Sequence, residues 1–438
     1  MKTLITGAVI VPMTGREGEG PKYFTGSVAI EGNRISMVTD DDRLLEKFRA
    51  ENPDAKIVDG RGKLLMPGLI NTHTHVAMTL MRNFADDIPL MEWLHERVWP
   101  FESLLGPEDI AAGARLGIAE MLLGGTTTLV DMYWHEAAVA CVARETGIRA
   151  VLCPSFVDGP RMAEFESDLT ATLAVAAQCD RLSVRVAPHA AYSCSAENLR
   201  RGVELARQYG LGLHIHVSET LDEQRIIRER HGLTPTEYLL ETGLFERPVI
   251  AAHCVHVTGR DIEILRSHGA TVAHNPQSNM KLASGAAPVA QMVAAGLDVS
   301  LGTDGASSNN DLDLWDEMRS ASLLGKLTAA DPAVLPAYEV VKMATVNGAR
   351  AIGMGGALGV VAEGALADMV MLDIEKPHWY PHADLVGALV YSARASDVDT
   401  VWVDGQILVS GGRPTVLDLG STMLAAKKTA GRIKQKAL

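Results

Sequence analysis

Cysteine is scarce in this chain and shows no pairing pattern. The 438 residues hold five, Cys141, Cys153, Cys179, Cys194 and Cys254, with no C-x-x-C among them. A zinc finger and a disulfide scaffold are both excluded, and the odd number suits a reducing, cytoplasmic setting. Positive charge is in deficit: 40 basic against 54 acidic residues give a net charge of -14. That argues against nucleic acid and an anionic membrane surface as partners. No apolar run reaches the ~18 residues of a spanning helix. Met1-Lys2 leads straight into Thr3-Leu4-Ile5-Thr6-Gly7, so no signal peptide is expected. No glycine-rich phosphate turn follows an early strand, which counts against an open, doubly wound dinucleotide fold. Internal repeats and low-complexity segments are missing as well.

What is present is a large apolar share, 47% of residues, enough for one large domain with an accessory domain. Residues 1–63 read as short strands separated by Gly, Asn and Asp turns, with Glu31-Gly32-Asn33-Arg34 a hairpin signal and a short helix over 40–51. From Leu64 the pattern changes. Apolar runs at Leu64–Ile70, Thr126–Met132, Arg149–Ser155, Leu182–His189, Leu211–Val217, Val249–Cys254, Ala270–His274 and Asp298–Gly302 alternate with helical stretches. Eight such units predict a (β/α)8 TIM barrel. Its first strand-to-helix connection, Val76 to about Leu105, is long enough for a lid or specificity element. After helices over 306–355, strand-like segments return, including a hairpin turning at Asp404-Gly405. Each terminal segment is too small for its own core. The expectation is therefore a small β-sandwich built from 1–63 and 358–438 beside a barrel domain of 64–357. The basic helical tail from Met423 reads as a solvated face or a packing helix.

Chemistry concentrates at one place in each unit. Strand one ends in His73 and His75. Residues two apart share a strand face, roughly 6.6 Å apart along it, and can hold one cation between them. Strand four ends in His189, strand five in His216 with Glu219 three residues on, strand six in His253, strand seven in His274 and strand eight in Asp304. These ends form the active face of such a barrel. Three imidazoles and a carboxylate, His73, His75, His216 and Asp304, suit one divalent metal, zinc first, with iron or manganese as alternatives. Such a metal makes hydroxide available at neutral pH. Strand four ends without the lysine that a bridged two-metal site would use. Glu219 is the expected proton shuttle, and the bland alternative is a carboxylate that only orients a neighbour. His253 is expected to hold the attacking water or stabilise its oxygen, with His256 the competitor. His214 lies one layer below His216 and reads as a packed residue behind the site.

The stretches Pro67-Gly68-Leu69-Ile70-Asn71-Thr72-His73-Thr74-His75, His216-Val217-Ser218-Glu219, Ala252-His253-Cys254, His274–Leu282 and Gly302-Thr303-Asp304-Gly305 resemble the amidohydrolase superfamily. They resemble its 5-methylthioadenosine/S-adenosylhomocysteine deaminase branch in particular, over nearly the whole chain. The resemblance implies hydrolytic deamination of an adenosine derivative, a small nucleoside-like substrate, with Glu219, His253 and Asp304 as the catalytic groups. It implies Glu102 on the ribose diol, His189 on the substrate side, Trp93 along the thioether side and Arg161 for an amino-acid carboxylate. Relatives that take S-adenosylhomocysteine carry arginines after strand three. Here that region, Cys153–Arg161, offers Arg161 alone, which tilts the expectation toward methylthioadenosine or another neutral derivative. A triazine or pterin hydrolase, a chlorohydrolase, or a barrel scaffold without catalysis are the alternatives. A homo-oligomer is expected of such a barrel.

Overall fold

The computed structural model describes residues 2–15, 22–84, 86–88, 92 and 94–437, without the side chains of 160, 161, 163 and 437. The central sheet has eight strands in strict sequence order. They are Leu69–Thr74, Thr126–Tyr133, Arg149–Phe156, Leu182–Pro188, Gly212–Val217, Val249–His253, Thr271–His274 and Val299–Leu301, called here strands one to eight. All neighbours are parallel. Nearly every strand residue is buried, as expected where helices cover the outer face and side chains fill the inner one. Val130, Met132, Val151, Cys153, Ala187, Ile250 and Ala273 form one packed cluster, with Ala351 against it. Strands one and eight close the ring. Thr72 donates to Leu301 O at 2.8 Å, and the backbone N–H groups of Thr303 and Asp304 both reach His73 O. Gly302 is required at this seam, because a Cβ there would lie 2.8 Å from His73 Cβ.

The expected run Leu64–Ile70 is two strands, not one. Lys63–Pro67 belongs to the accessory sheet and Leu69–Thr74 to the barrel. Gly68 marks the hand-over; a Cβ on it would come within 2.2 Å of Thr127. An apolar run carries no sign of where a strand changes sheets, so the break was not readable from periodicity. The accessory strands from both terminal segments join in one nine-stranded sheet. Lys63–Pro67 sits at its centre, antiparallel to Met369–Asp373 and parallel to the strand Lys2–Ile10. The hairpins at Gly32-Asn33 and Asp404-Gly405 form as expected. Arg149 fastens the two parts together: its Nε donates to Asp368 at 2.8 Å, with both side chains buried.

The last helix, Leu419–Ala437, packs on the helices Pro107–Leu123 and Trp99–Glu102. Ile433 is fully buried, Arg432 pairs with Asp109, and Lys434 lies 5.6 Å from the centre of the Phe84 ring. Phe84 in turn packs on Phe101. The basic tail is thus a packing helix that braces the long connection after strand one. Among the described residues no helix is long and apolar enough to cross a membrane.

Candidate metal and substrate site

The strand-end residues converge. His75, His216, His253, Asp304, His189 and Glu219 line one cavity, and Glu102 lies on the same wall system with Trp99, Tyr133 and Trp134. The imidazoles are held from behind. His73 Nδ1 meets His214 Nε2 at 2.7 Å, His216 Nδ1 donates to His189 O at 2.7 Å, His75 Nδ1 donates to Met132 O, and His253 Nδ1 meets Asn279 Oδ1 at 2.9 Å. With each Nδ1 engaged, the Nε2 atoms are turned toward a common centre, the arrangement that fixes the orientation of histidine ligands. His75 and His216 Nε2 are 3.4 Å apart, and Asp304 Oδ1 lies 3.1 Å from His75 Nε2 and 3.4 Å from His73 Nε2. Asp304 Oδ2 accepts from Ser278 Oγ at 2.6 Å and Ser308 Oγ at 2.7 Å.

A cation fits this donor set. The ligand atoms of His73, His75 and Asp304 lie within 4.8 Å of one another, and so do those of His73, His216 and His253. His73 Nε2 is buried and, among the described residues, has only the Asp304 carboxylate, 3.4 Å away, facing it. Burial depresses the His73 imidazole to about 3 and holds His216 well below its ordinary value, so both are neutral, the form that binds metal. Burial also lowers His75, but the hydrogen bond and charge of Asp304, with the bond to Met132 O and the charge of Asp131, together outweigh this and raise it to about 9. Burial pushes the Asp304 carboxyl up, and the interactions with His73 and His75, with the charges of His75 and His253, together overcome it, leaving it well below the carboxylate range. The structure also brings His253 within ligand distance, so five groups rather than four surround the centre.

Several site residues have strained backbone. Ser218, His253, Cys254 and Asp304 all have left-handed φ, from 49 to 71°, a conformation rare outside glycine and common at functional sites. Glu219 lines the cavity, and burial raises its carboxyl while His253 pulls it back. Glu102, at the end of the short helix Trp99–Glu102, accepts a 2.6 Å hydrogen bond from Tyr133 Oη. His189 follows strand four and meets Ser193 Oγ at 2.9 Å. His256 points away from the cavity and bonds Ser284 O at 2.7 Å. Trp93 lies outside the described residues. Arg161 falls in the helix Pro160–Ala176, with its side chain outside them.

The amidohydrolase family profile matches residues 64–408. The chain belongs to the amidohydrolase family. This amidohydrolase is 45% identical over 433 residues to a protein of Pelotomaculum thermopropionicum named 5-methylthioadenosine/S-adenosylhomocysteine deaminase, covering 98% of each. It is 43% identical over 435 residues to one of Methanothermobacter thermautotrophicus named 5'-deoxyadenosine deaminase, again 98% of each. A crystal structure of an adenosine deaminase from Xanthomonas campestris with bound zinc superposes with a TM-score of 0.91 at 32% identity, over 99% of this chain and 98% of that one. An atrazine chlorohydrolase from Arthrobacter aurescens shares the fold, with a TM-score of 0.86 at 24% identity over 98% and 100%.

Residues that the strand-end reading missed complete the site. Tyr133 and Met132 close strand two, and Tyr192, Trp134, Ser155 and Leu282 line the cavity. Tyr133 stands at a strand end like the histidines, but a tyrosine is not a usual ligand for zinc and so carries no metal signal in the sequence. Ser278 and Asn279 lie inside the stretch His274–Leu282, but nothing in their spacing says which ligand each would hold.

Proposed function

We propose that this amidohydrolase deaminates adenosine derivatives carrying a small neutral 5' substituent, with methylthioadenosine and 5'-deoxyadenosine ahead of S-adenosylhomocysteine. The observation that carries the reading is the sharing of one cavity by the metal-competent cluster, Glu219 and Glu102. His73, His75, His216 and Asp304 would hold a divalent cation, zinc by preference for nitrogen-rich donors. Such a cation, when bound, lowers the pKa of water so that hydroxide is available at neutral pH.

The chain's own residues do the rest. Glu219 takes one proton from the entering water and gives it to the ring nitrogen beside the amino-bearing carbon, which keeps it, then takes the second from the added oxygen and passes it to the amino group, which departs as ammonia. Its burial favours the protonated state that donates. His253, fixed by Asn279, hydrogen-bonds the oxygen that enters. Glu102, held by Tyr133, accepts from the ribose diol, and His189 contacts the substrate from the same cavity. The apolar Leu94, Val98 and Trp99 line the outer cavity, and among the described lining residues there is no lysine or arginine. A charged amino-acid tail would find no cation among them, whereas a thiomethyl or methyl group needs none.

The test is ammonia release by the metal-replete protein from methylthioadenosine, 5'-deoxyadenosine, adenosine, S-adenosylhomocysteine and a chlorotriazine. The expected order places the first two highest. A preference for S-adenosylhomocysteine would overturn the neutral-substituent reading. Turnover of the triazine alone would overturn the nucleoside reading.

A further inference from the structure

Glu223 is buried, at 2% exposure, yet it does not line the cavity. It occupies the third position of the helix Leu221–His231, whose cap is Thr220. Two other helices of this chain open in a similar way, and each shows what such a residue ordinarily does. Glu237 accepts a hydrogen bond from the backbone N–H of its cap Thr234, and Asp261 from that of its cap Thr258, the reciprocal capping arrangement. Glu223 instead passes over Thr220. Its Oε2 accepts from Glu219 N at 2.9 Å. Ser218 is left-handed, with φ of 51°. The same turn is pinned from its other side. Gln224 donates to Ser218 Oγ at 3.0 Å and His256 O at 2.8 Å, and His256 N donates to Ser218 O at 2.9 Å.

We propose that Glu223 is a positioning residue: its acceptor oxygen fixes the Ser218–Glu219 backbone and so aims the Glu219 carboxyl into the cavity. The inference rests on the reading of Glu219 as the proton shuttle. Glu223 touches no substrate and carries no proton to it. Burial raises its carboxyl to about 8, against the pull of the Glu219 and Ser218 N–H groups. A neutral acceptor therefore does the work, and glutamine supplies one of the same size and reach.

Four variants test this: Glu223→Ala, Glu223→Gln, Glu219→Gln, and Glu219→Gln with Glu223→Ala. Each is assayed for kcat, KM, bound metal, melting temperature and amide exchange of the segment 216–224. Displacing a catalytic group by about 1 Å costs on the order of 100-fold. Glu223→Ala is expected to lose about 10- to 100-fold in kcat, with KM within about threefold, metal content unchanged and faster exchange at 218–219. Glu223→Gln should stay within about threefold of the parent rate. The double variant should be no slower than Glu219→Gln alone, because groups acting as one unit are not additive. Should Glu223→Ala fail to fold, Glu223→Asp, one methylene too short, is expected to show the same loss.

A folded Glu223→Ala or Glu223→Asp with the parent kcat overturns the proposal. So does a loss that tracks metal content, or one that multiplies fully in the double variant. A slow Glu219→Gln beside a parent-like Glu223→Ala refutes this inference alone. A parent-like Glu219→Gln refutes the shuttle reading and this inference with it.

Discussion

Removing Ser278 or Ser308 should weaken metal binding without touching a ligand. Asp304 has two oxygens with separate duties. Oδ1 faces His73 and His75, while Oδ2 is held by the two serine hydroxyls at 2.6 and 2.7 Å. Those lengths belong to hydroxyls donating to an ionised carboxylate, and all three residues are buried. One such hydrogen bond is worth about 1.5–3 kcal/mol. Part of that is present in the metal-free protein as well, so only the share that orients Oδ1 appears as affinity. A tenfold to 100-fold loss, about 1.4–2.8 kcal/mol, is expected for Ser278→Ala or Ser308→Ala. The assay is equilibrium competition for zinc against a chelator of known affinity, with melting curves to show that each variant is folded. Since both hydroxyls act on one oxygen, the double variant should depart from additivity. Parent-like affinity in both folded single variants would refute the argument that Oδ2 is what orients the carboxylate.

His216→Ala should lose metal and activity together, whereas His253→Ala should keep its metal and lose rate, as read by metal analysis beside ammonia release. Loss of metal from His253→Ala would make it a ligand. Glu102→Ala should cut kcat/KM for adenosine compounds by about 100-fold or more, since a buried partner of the diol is lost; kinetics with a substrate lacking ribose should barely change. Asp397 supplies a pH test. Burial pushes its carboxyl up, but hydrogen bonds from His378, Lys376 and Trp379 outweigh this and hold it below its ordinary value. A depressed carboxyl contributes stability fully present above the unfolded value, ~3.9, and lost as pH falls through the lower folded value. Melting curves of the parent and Asp397→Asn should therefore differ at neutral pH and converge as pH drops below about 4.

The barrel was legible because its signal is periodic and repeated. Eight buried runs, each ending in a polar residue, place the ligands on one face whatever the error at any single boundary. The metal-competent set His73, His75, His216 and Asp304 followed from that placement, and the structure brings its members together. What was not legible depends on coordinates of a different kind. The sheet change at Gly68 is a matter of which neighbour a strand meets. The approach of His253 to ligand distance depends on its left-handed backbone, which no residue type announces. The backing of His73 by His214, and of Asp304 by Ser278 and Ser308, comes from side chains meeting across strands far apart in sequence. The role of Glu102 came only from resemblance; the structure places it on the cavity wall, bonded by the Tyr133 hydroxyl.

The accessory sheet also imposes an order on synthesis. Lys63–Pro67 is central in that sheet, and Val9 and Ile10 flank it from one side as soon as they are made. Its other edge pairs with Met369–Asp373, roughly 300 residues downstream. At about 5–20 residues per second, that edge stays open for about 15–60 s. It presents Leu64, Leu65 and Met66, which end up fully buried, as an unpaired apolar strand of the sort that recruits other chains. The barrel must therefore be built between two halves of a sheet that waits for its last strands. The segment that hands over, through Gly68, to the metal-binding strand is therefore one that waits, unpaired on one edge, for the end of the chain.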